Sequence, residues 1–230
     1  MSRPRFAIYF APEDGSALAR FGREWLGREP HHATPLPLPQ LGWTPEFHAN
    51  IVASPRRYGL HATLKAPIVL ADGMDRAELV DALRQFCQRR RPILAAPLTL
   101  AQIEGFLALR PSRAEPDIDA LAAACVEEFD RFRAQPTATE MAKRLAHPLT
   151  PRQTELLARW GYPYVMEQFR FHVTVSERLS DEDEPIVRRA LTPRLDSVFA
   201  QPLLIDSICL FEQPAHDVWF TLTERVALGG

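Results

Sequence analysis

Three His-x-Thr triplets occur in the chain, beginning at His32, His61 and His172. One such match is unsurprising in a sequence with seven histidines, so the surroundings of each triplet decide its interpretation. The first runs directly into Pro35-Leu36-Pro37, and proline is excluded from central strands, so we interpret it as a chance match. The other two lie in apolar stretches that follow aromatic residues and are predicted as strands.

Strand geometry gives the spacing of these two triplets a physical meaning. Side chains alternate between the faces of a strand, so residues i and i+2 point the same way. His61 and Thr63 should therefore share one face, as should His172 and Thr174, while the intervening residues face an apolar side. Two such strands would offer two imidazoles and two hydroxyls to a tetrahedral anion.

This set of groups suits phosphodiester chemistry without a metal. Imidazole titrates near neutral pH, so one neutral histidine can take a proton from water while a protonated one gives a proton to the leaving oxygen. The hydroxyls of Thr63 and Thr174 can donate to the non-bridging oxygens. For either histidine alone, a packed side chain bonded to the backbone is the competing interpretation; the pairing favours a joint catalytic role for His61 and His172.

Four further residues near the triplets are possible substrate contacts. Lys65 follows His61 by four positions and could contact a phosphate, although a solvated lysine at a strand end is the alternative. Arg57 could reach a phosphate or sugar, and Tyr58 could stack on a base or sugar; a solvated loop and core packing are their alternatives. Ser176 occupies the place after His172 that Lys65 occupies after His61.

The elements that must position these residues are predicted from periodicity and turn residues. Strands are predicted at 5–10, 58–67 and 169–176, hairpins at 98–109 and 203–222, and helices at 13–27, 75–90, 117–133, 151–161 and 181–191. A loop covers 30–45, Glu140 to His147 reads mainly as a solvated helix, and His48 as a surface or loop residue.

The two halves of the chain form a weak internal repeat. Each has a strand with His-x-Thr, a helix and an antiparallel hairpin, over about 58–111 and about 169–226, with a helical insertion over about 115–161. We therefore predict one α+β domain over 1–230, with two pseudo-symmetric lobes and a cleft between them.

Composition limits the remaining possibilities. Net charge is −2, so no overall basic field would hold long RNA. Cys87, Cys125 and Cys209 are widely spaced, which is typical of a reduced cytoplasmic protein rather than of a zinc site. His31-His32 has no carboxylate or cysteine at ligand spacing, no Gly-rich phosphate loop is found, and no signal peptide or membrane span is expected.

The two motif strands, 58–67 and 169–176, resemble those of the two-histidine (2H) phosphoesterase superfamily. Together with the strand before Pro12, the first decapeptide is similar to the branch encoded in phosphonate-utilisation operons, DUF1045. The resemblance implies a bilobal 2H phosphoesterase-like fold with an antiparallel sheet in each lobe and helices on the outer face. It also implies His61 and His172 as the acid–base pair, with His172 as base and His61 as acid by analogy, and Thr63 and Thr174 as phosphate binders.

These observations predict a metal-independent phosphodiesterase that acts on a small cyclic phosphodiester, a sugar or nucleotide cyclic phosphate, with phosphonate metabolism as one context. The alternative is a non-catalytic protein that binds a phosphorylated ligand, a nucleotide or an RNA end, the RNA end being less favoured. We expect no cofactor, no membrane and no obligate protein partner. The substrate, the P–O bond cleaved, the roles of the two histidines, the oligomeric state and closure by 30–45 stay open.

Overall fold

The computed structural model describes residues 3–146 and 148–230. Its strands are β1 (Arg5–Phe10), β2 (Ala62–Ile68), β3 (Ile93–Ala95), β4 (Leu98–Ile103), β5 (Phe106–Pro111), β6 (Val173–Arg178), β7 (Leu203–Ile205), β8 (Ser207–Gln213) and β9 (Thr221–Ala227). Its helices are α1 (Ala17–Leu26), α2 (Pro45–Ile51), α3 (Ala53–Tyr58), α4 (Arg76–Gln88), α5 (Pro116–Phe129), α6 (Ala138–Leu145), α7 (Pro151–Trp160), α8 (Asp183–Leu191) and α9 (Asp196–Phe199). His147, at the end of the predicted 140–147 helix, lies outside the described residues.

The strands form separate antiparallel sheets, which confirms the predicted α+β class. The largest has the order β2-β1-β8-β9, a second has β4-β5-β6, and β3 pairs with β7. Helix α5 packs against β2, and α4 packs against β8 and β9.

Strand pairing differs from the sequence units in one respect. The hairpin β4-β5 belongs to the first unit but pairs with the motif strand β6 of the second, while β8-β9 joins the sheet of β1 and β2. As a result, β5 and β8 are interior strands of their sheets, and each pairs along both edges. The sheets therefore combine strands of both sequence units, and the assignment of 1–230 to one bilobal domain stays a prediction.

Local signals placed several elements correctly. Helix α4 begins after Asp75, whose side chain accepts from the backbone of Glu78 in a reciprocal capping box. Its buried residues Leu79, Leu83 and Phe86 lie on one face, as the sequence predicts. The β4-β5 hairpin turns at Glu104 and Gly105, both with positive φ, which matches the twist of the flanking strands.

The segment before the first motif differs from the predicted strand. Tyr58, the first residue of the predicted 58–67 strand, is the last residue of α3, and β2 begins only at Ala62. Helix α2 was not predicted either; Pro45 opens it and Thr44 caps it. His48 on this helix is buried between Trp25 and Trp43, with ring centroids 4.6 and 5.5 Å away, so its assignment to the surface was wrong.

Helix α1 is anchored directly to the second motif strand. The indole of Trp25, almost fully buried, donates a 2.7 Å hydrogen bond to the carbonyl of Val175 in β6. Among the described residues, no helix is both long and apolar enough to cross a membrane.

Candidate active site

His61 and His172 occupy equivalent positions, each one residue before its strand. The Nδ1 atom of His61 lies 2.8 Å from the carbonyl oxygen of Gly59, and that of His172 lies 2.7 Å from the carbonyl oxygen of Arg170. A carbonyl can only accept, so the proton of each neutral imidazole is on Nδ1 and the lone pair is on Nε2. Both histidines are therefore held in the tautomer whose Nε2 can exchange a proton with a ligand.

Gly59 orients the first histidine through its backbone. Its φ of 76° and ψ of 173° belong to a region that only glycine occupies readily. This conformation turns the chain between α3 and β2 and directs the Gly59 carbonyl at His61.

Replacing Gly59 with alanine should lower the free energy of unfolding by about 1–3 kcal/mol, because a Cβ makes this backbone conformation costly. The nearest atom to the added Cβ would be 3.7 Å away, so the cost is conformational and not a clash. Urea denaturation measures it, with Gly73→Ala, another positive-φ position in an open turn, as the control. Any assay of His61 function should decline in Gly59→Ala and not in Gly73→Ala; equal behaviour of the two variants would contradict a positioning role.

An aromatic cluster surrounds His61. Tyr9 stacks on the imidazole with ring centroids 4.0 Å apart, and Tyr58 lies 5.6 Å away and stacks in turn on Phe220. Burial is the main cause that lowers the pKa of His61 to about 4; the hydrogen bond to the Gly59 carbonyl opposes this shift, and the positive charges of His172 and Arg28 add to it. His61 is consequently neutral at pH 7.

The lowered pKa has a consequence for stability. Between the pKa of about 4 in the folded protein and about 6.5 in the unfolded chain, the unfolded state binds a proton at His61 and the folded state does not. The free energy of unfolding should therefore decrease as pH falls from about 6.5 to about 4, and more in the wild type than in His61→Gln. Urea titrations of both proteins across this range test it; a difference between them that does not change with pH would contradict it.

A cavity of about 430 Å³ is lined by one residue of each motif, and His61 is not among its lining residues. Thr63 of β2 lines it together with His172 and with Phe106 of β5. Aromatic and amide side chains make up much of the remaining wall: Gln153, Tyr162, Tyr164, Gln168 and Phe169. The cavity thus joins the hydroxyl of one motif to the imidazole of the other.

The threonines differ in their surroundings. Both are half-buried, and within the part of the chain that the structure describes, neither hydroxyl takes part in a hydrogen bond. Thr174 lines a neighbouring cavity of about 340 Å³ rather than the one that holds Thr63, and Phe106 lines both. The structure therefore places Thr63 with His172 and leaves Thr174 beside them on β6.

Lys65 does not contact the cavity lined by Thr63. A register shift pairs Tyr9 with Thr63 but Ile8 with Lys65, so the two β2 residues no longer share a face. The Lys65 ammonium is buried and lies 3.0 Å from both the Val126 carbonyl and the Asp130 carboxylate. Its predicted role as a substrate contact was wrong, because the bulge turns it towards α5.

The other predicted contacts divide into three cases. The Ser176 hydroxyl is buried, accepts from the Leu107 amide at 2.9 Å and donates to the Glu177 carbonyl at 2.7 Å, so it is structural. Arg57 is exposed and donates to the carbonyl of His216. Tyr58 lies beside His61 and packs on Phe220, and its role as a substrate contact stays a prediction.

Two residues near His61 were missed from the sequence. Tyr9 stands in an apolar strand, where its hydroxyl was the only signal. Arg28 gives no sequence signal: its buried guanidinium donates to the carbonyls of Arg56 and Phe220 and lies beside Gly59. These bonds tie the end of α3 to the segment before β9.

Metal ligands are not grouped in the described parts of the chain, 3–146 and 148–230, where no three His, Cys, Asp or Glu side chains come together. The sequence model of a family described as a protein of unknown function, DUF1045, matches residues 63–221, which is most of the chain. The chain belongs to the DUF1045 family. The resemblance to DUF1045 predicted from the motif strands is thereby confirmed.

Longer proteins contain a region similar to this DUF1045 chain. It is 36% identical over 236 residues to the ribose 1,5-bisphosphate phosphokinase PhnN of Janthinobacterium sp. (strain Marseille), covering 100% of the chain and 52% of that protein. It is 35% identical over 224 residues to PhnN of Laribacter hongkongensis (strain HLHK9), covering 97% and 52%. The DUF1045 chain thus spans about half the length of the curated relatives it matches.

Solved structures with a similar outline include one described as a phosphoesterase, 13% identical with a TM-score of 0.43. E. coli LigT complexed with NADP+ is 14% identical with a TM-score of 0.43, and both alignments cover 100% of each chain. These values describe a distant likeness of shape.

Proposed function

We propose that this DUF1045 chain hydrolyses a small cyclic phosphodiester by acid–base catalysis with His61 and His172. The observation that carries the proposal is the matched placement of the two imidazoles. Each precedes its strand by one residue. Each donates a hydrogen bond from Nδ1 to the carbonyl oxygen two residues upstream, which leaves Nε2 for proton transfer. Packing alone does not require the same arrangement at two histidines whose strands belong to different sheets.

In the reaction we propose, Nε2 of neutral His61 takes a proton from water as the water oxygen bonds to phosphorus. The bond from phosphorus to one ring oxygen breaks, and protonated His172 gives that oxygen its proton, which yields a phosphomonoester. Solvent returns His61 to neutral and His172 to its protonated form. These roles are the reverse of those given by analogy in the sequence analysis, where His172 was the base and His61 the acid. The low pKa of His61 keeps its imidazole neutral, so His61 is proposed as the group that accepts the proton.

The threonines supply the electrostatic part of the proposal. Thr63 lines the same cavity as His172 and has a hydroxyl that can donate to a non-bridging oxygen. Thr174 follows His172 on the same face of β6 and is proposed for a second oxygen. Neutral donors fixed before the reaction stabilise the charge that develops on phosphorus oxygens without reorganisation.

The substrate we propose is a small molecule rather than a polymer. A cavity of about 430 Å³ is in the range of small-molecule sites, and the aromatic side chains suit a sugar or nucleoside ring. The relatives named PhnN are named for a phosphorylated ribose, which favours a sugar cyclic phosphate in phosphonate metabolism as a probe. The chain has no G-x-x-x-x-G-K-[S/T] motif, so we do not propose P-loop phosphoryl transfer for this region.

A screen of cyclic phosphodiesters with excess chelator tests the proposal. The substrates are adenosine 2′,3′-cyclic phosphate, glycerol 1,2-cyclic phosphate and a ribose cyclic phosphate. We expect chelator-resistant hydrolysis of at least one. Loss of activity with chelator would contradict metal-independent catalysis, and tight binding of every diester without turnover would favour the non-catalytic binding protein.

A further inference from the structure

A second, smaller cavity of about 80 Å³ adjoins the main one. Ala66, Tyr162 and Val165 line both cavities, so the two cavities are adjacent. The smaller one lies where the ends of β2 and α5 meet the 133–144 segment and the residues after α7.

Positive side chains dominate the wall of this smaller cavity. Among the described residues, its cations are Arg5, Lys65, Arg133 and Arg144, and Glu140 is the carboxylate. Lys65 is committed to Asp130, as described above. Of the three arginines, Arg133 is paired with Asp130, and Arg5 donates from its Nε to the Gln213 side chain. The Glu140 carboxylate accepts hydrogen bonds from the backbone N–H and the hydroxyl of Thr137.

Two guanidinium nitrogens in this wall have no partner. Nη1 of Arg133 and Nη1 of Arg144 are buried, and within 3–146 and 148–230 neither forms a hydrogen bond. The Arg133 side chain is only 9% exposed, and its Nε and Nη2 are fixed on Asp130 at 2.8 and 3.0 Å, which leaves Nη1 as its unused donor. A buried charged donor without an acceptor is costly, so such a pair points to an acceptor that binds there.

The acceptor that fits is a compact oxyanion. Guanidinium groups bind phosphate through parallel N–H donors, and the positive charge of the wall favours a dianion. The volume leaves no room for a ring system beside it. Because the two cavities are adjacent, an anion bound in the smaller one lies next to a ligand at Thr63 and His172.

We propose that the cavity of Arg5, Arg133 and Arg144 binds a phosphomonoester group of the substrate whose cyclic phosphodiester lies at His61 and His172. This inference rests on the proposed function. It narrows the substrate class to cyclic phosphodiesters that carry a second, terminal phosphate on the same small sugar or nucleoside. The terminal phosphate supplies binding energy and orients the ring, while the chemistry takes place at His61 and at His172, which lines the larger cavity.

Kinetics with a matched pair of substrates test this inference. Adenosine 2′,3′-cyclic phosphate is compared with the same compound bearing a 5′-phosphate. We expect the wild type to show a KM about 10- to 100-fold lower for the 5′-phosphorylated compound, the effect of one or two charged hydrogen bonds. Arg144→Gln should bring the ratio of the two KM values close to one, and Arg131→Gln, an exposed arginine nearby, should leave the ratio as in the wild type. Equal KM values in the wild type would overturn the subsite while leaving the phosphodiesterase intact.

Binding of inorganic phosphate tests the subsite without turnover. Calorimetric titrations use His172→Gln as the parent, so that loss of hydrolysis is irrelevant. We expect phosphate affinity to fall at least tenfold on adding Arg144→Gln or Arg5→Gln, and not on adding Arg131→Gln; Arg133 is avoided because it also holds Asp130. No phosphate binding by the parent, or equal affinity in all four proteins, would overturn the subsite. Phosphate binding that depends on Arg144, with no diester hydrolysed by the wild type, would sink the proposed function alone.

Discussion

Replacement of His172 with glutamine is expected to reduce hydrolysis of a cyclic phosphodiester by about 10²- to 10⁴-fold, the usual contribution of one positioned proton donor. His61→Gln should cause a loss of the same order. Glutamine keeps a polar side chain of similar length but cannot carry a transferable proton. His172 is only half-buried and uses a single nitrogen in a hydrogen bond, so its replacement should leave the fold intact.

The control for these variants is available in the same chain. His32 begins the third His-x-Thr triplet but is exposed, so His32→Gln changes the same chemistry in a residue outside the cavity. Steady-state rates with excess chelator compare the three variants, and circular dichroism checks their folding. The double variant His61→Gln/His172→Gln should lose little more than the worse single variant, because the two residues act as a unit. Wild-type rates in both single variants would remove the acid–base pair from the mechanism.

The fold was most predictable from the sequence where local chemistry decides it. Strand β1, the capped start of α4 and the turn at Glu104 and Gly105 follow from short-range rules on alternation, capping and positive φ. The partners of each strand were not predictable in this way. β5 pairs with β6 across a separation of more than sixty residues, and no local signal states which edge a buried strand will choose.

In the candidate site, too, residues identified from local sequence patterns differ from residues that only the folded chain brings together. Both His-x-Thr motifs were singled out from spacing, because a strand fixes which residues share a face, and Tyr58 was singled out because it precedes the first motif. Lys65 was misplaced because a bulge changes the face, and a bulge depends on the partner strand. Arg28 reaches His61 only through the folded chain, so the sequence carried no sign of it.

The bulge that turns Lys65 away from the cavity of Thr63 also places it in a buried ion pair with Asp130, which stabilises the fold. Its side chain is 4% exposed, and its partner Asp130 also accepts two hydrogen bonds from Arg133. Burial lowers the pKa of Lys65 while Asp130 opposes that change. Burial alone would raise the pKa of Asp130, but Arg133 and Lys65 hold it below its usual value. The carboxylate is therefore the shared counter-ion of two cations.

Replacing Asp130 with alanine is consequently expected to lower the free energy of unfolding by about 3–5 kcal/mol, because it leaves a buried ammonium with only the Val126 carbonyl. Lys65→Met should cost less, since methionine keeps the apolar stem and Asp130 keeps both bonds to Arg133. Urea denaturation at pH 7 measures both variants. A loss in Lys65→Met equal to or larger than that in Asp130→Ala would contradict this order. The asymmetry follows from burial: removing the anion leaves a buried cation without a counter-ion, whereas removing that cation leaves an anion that is still paired with Arg133.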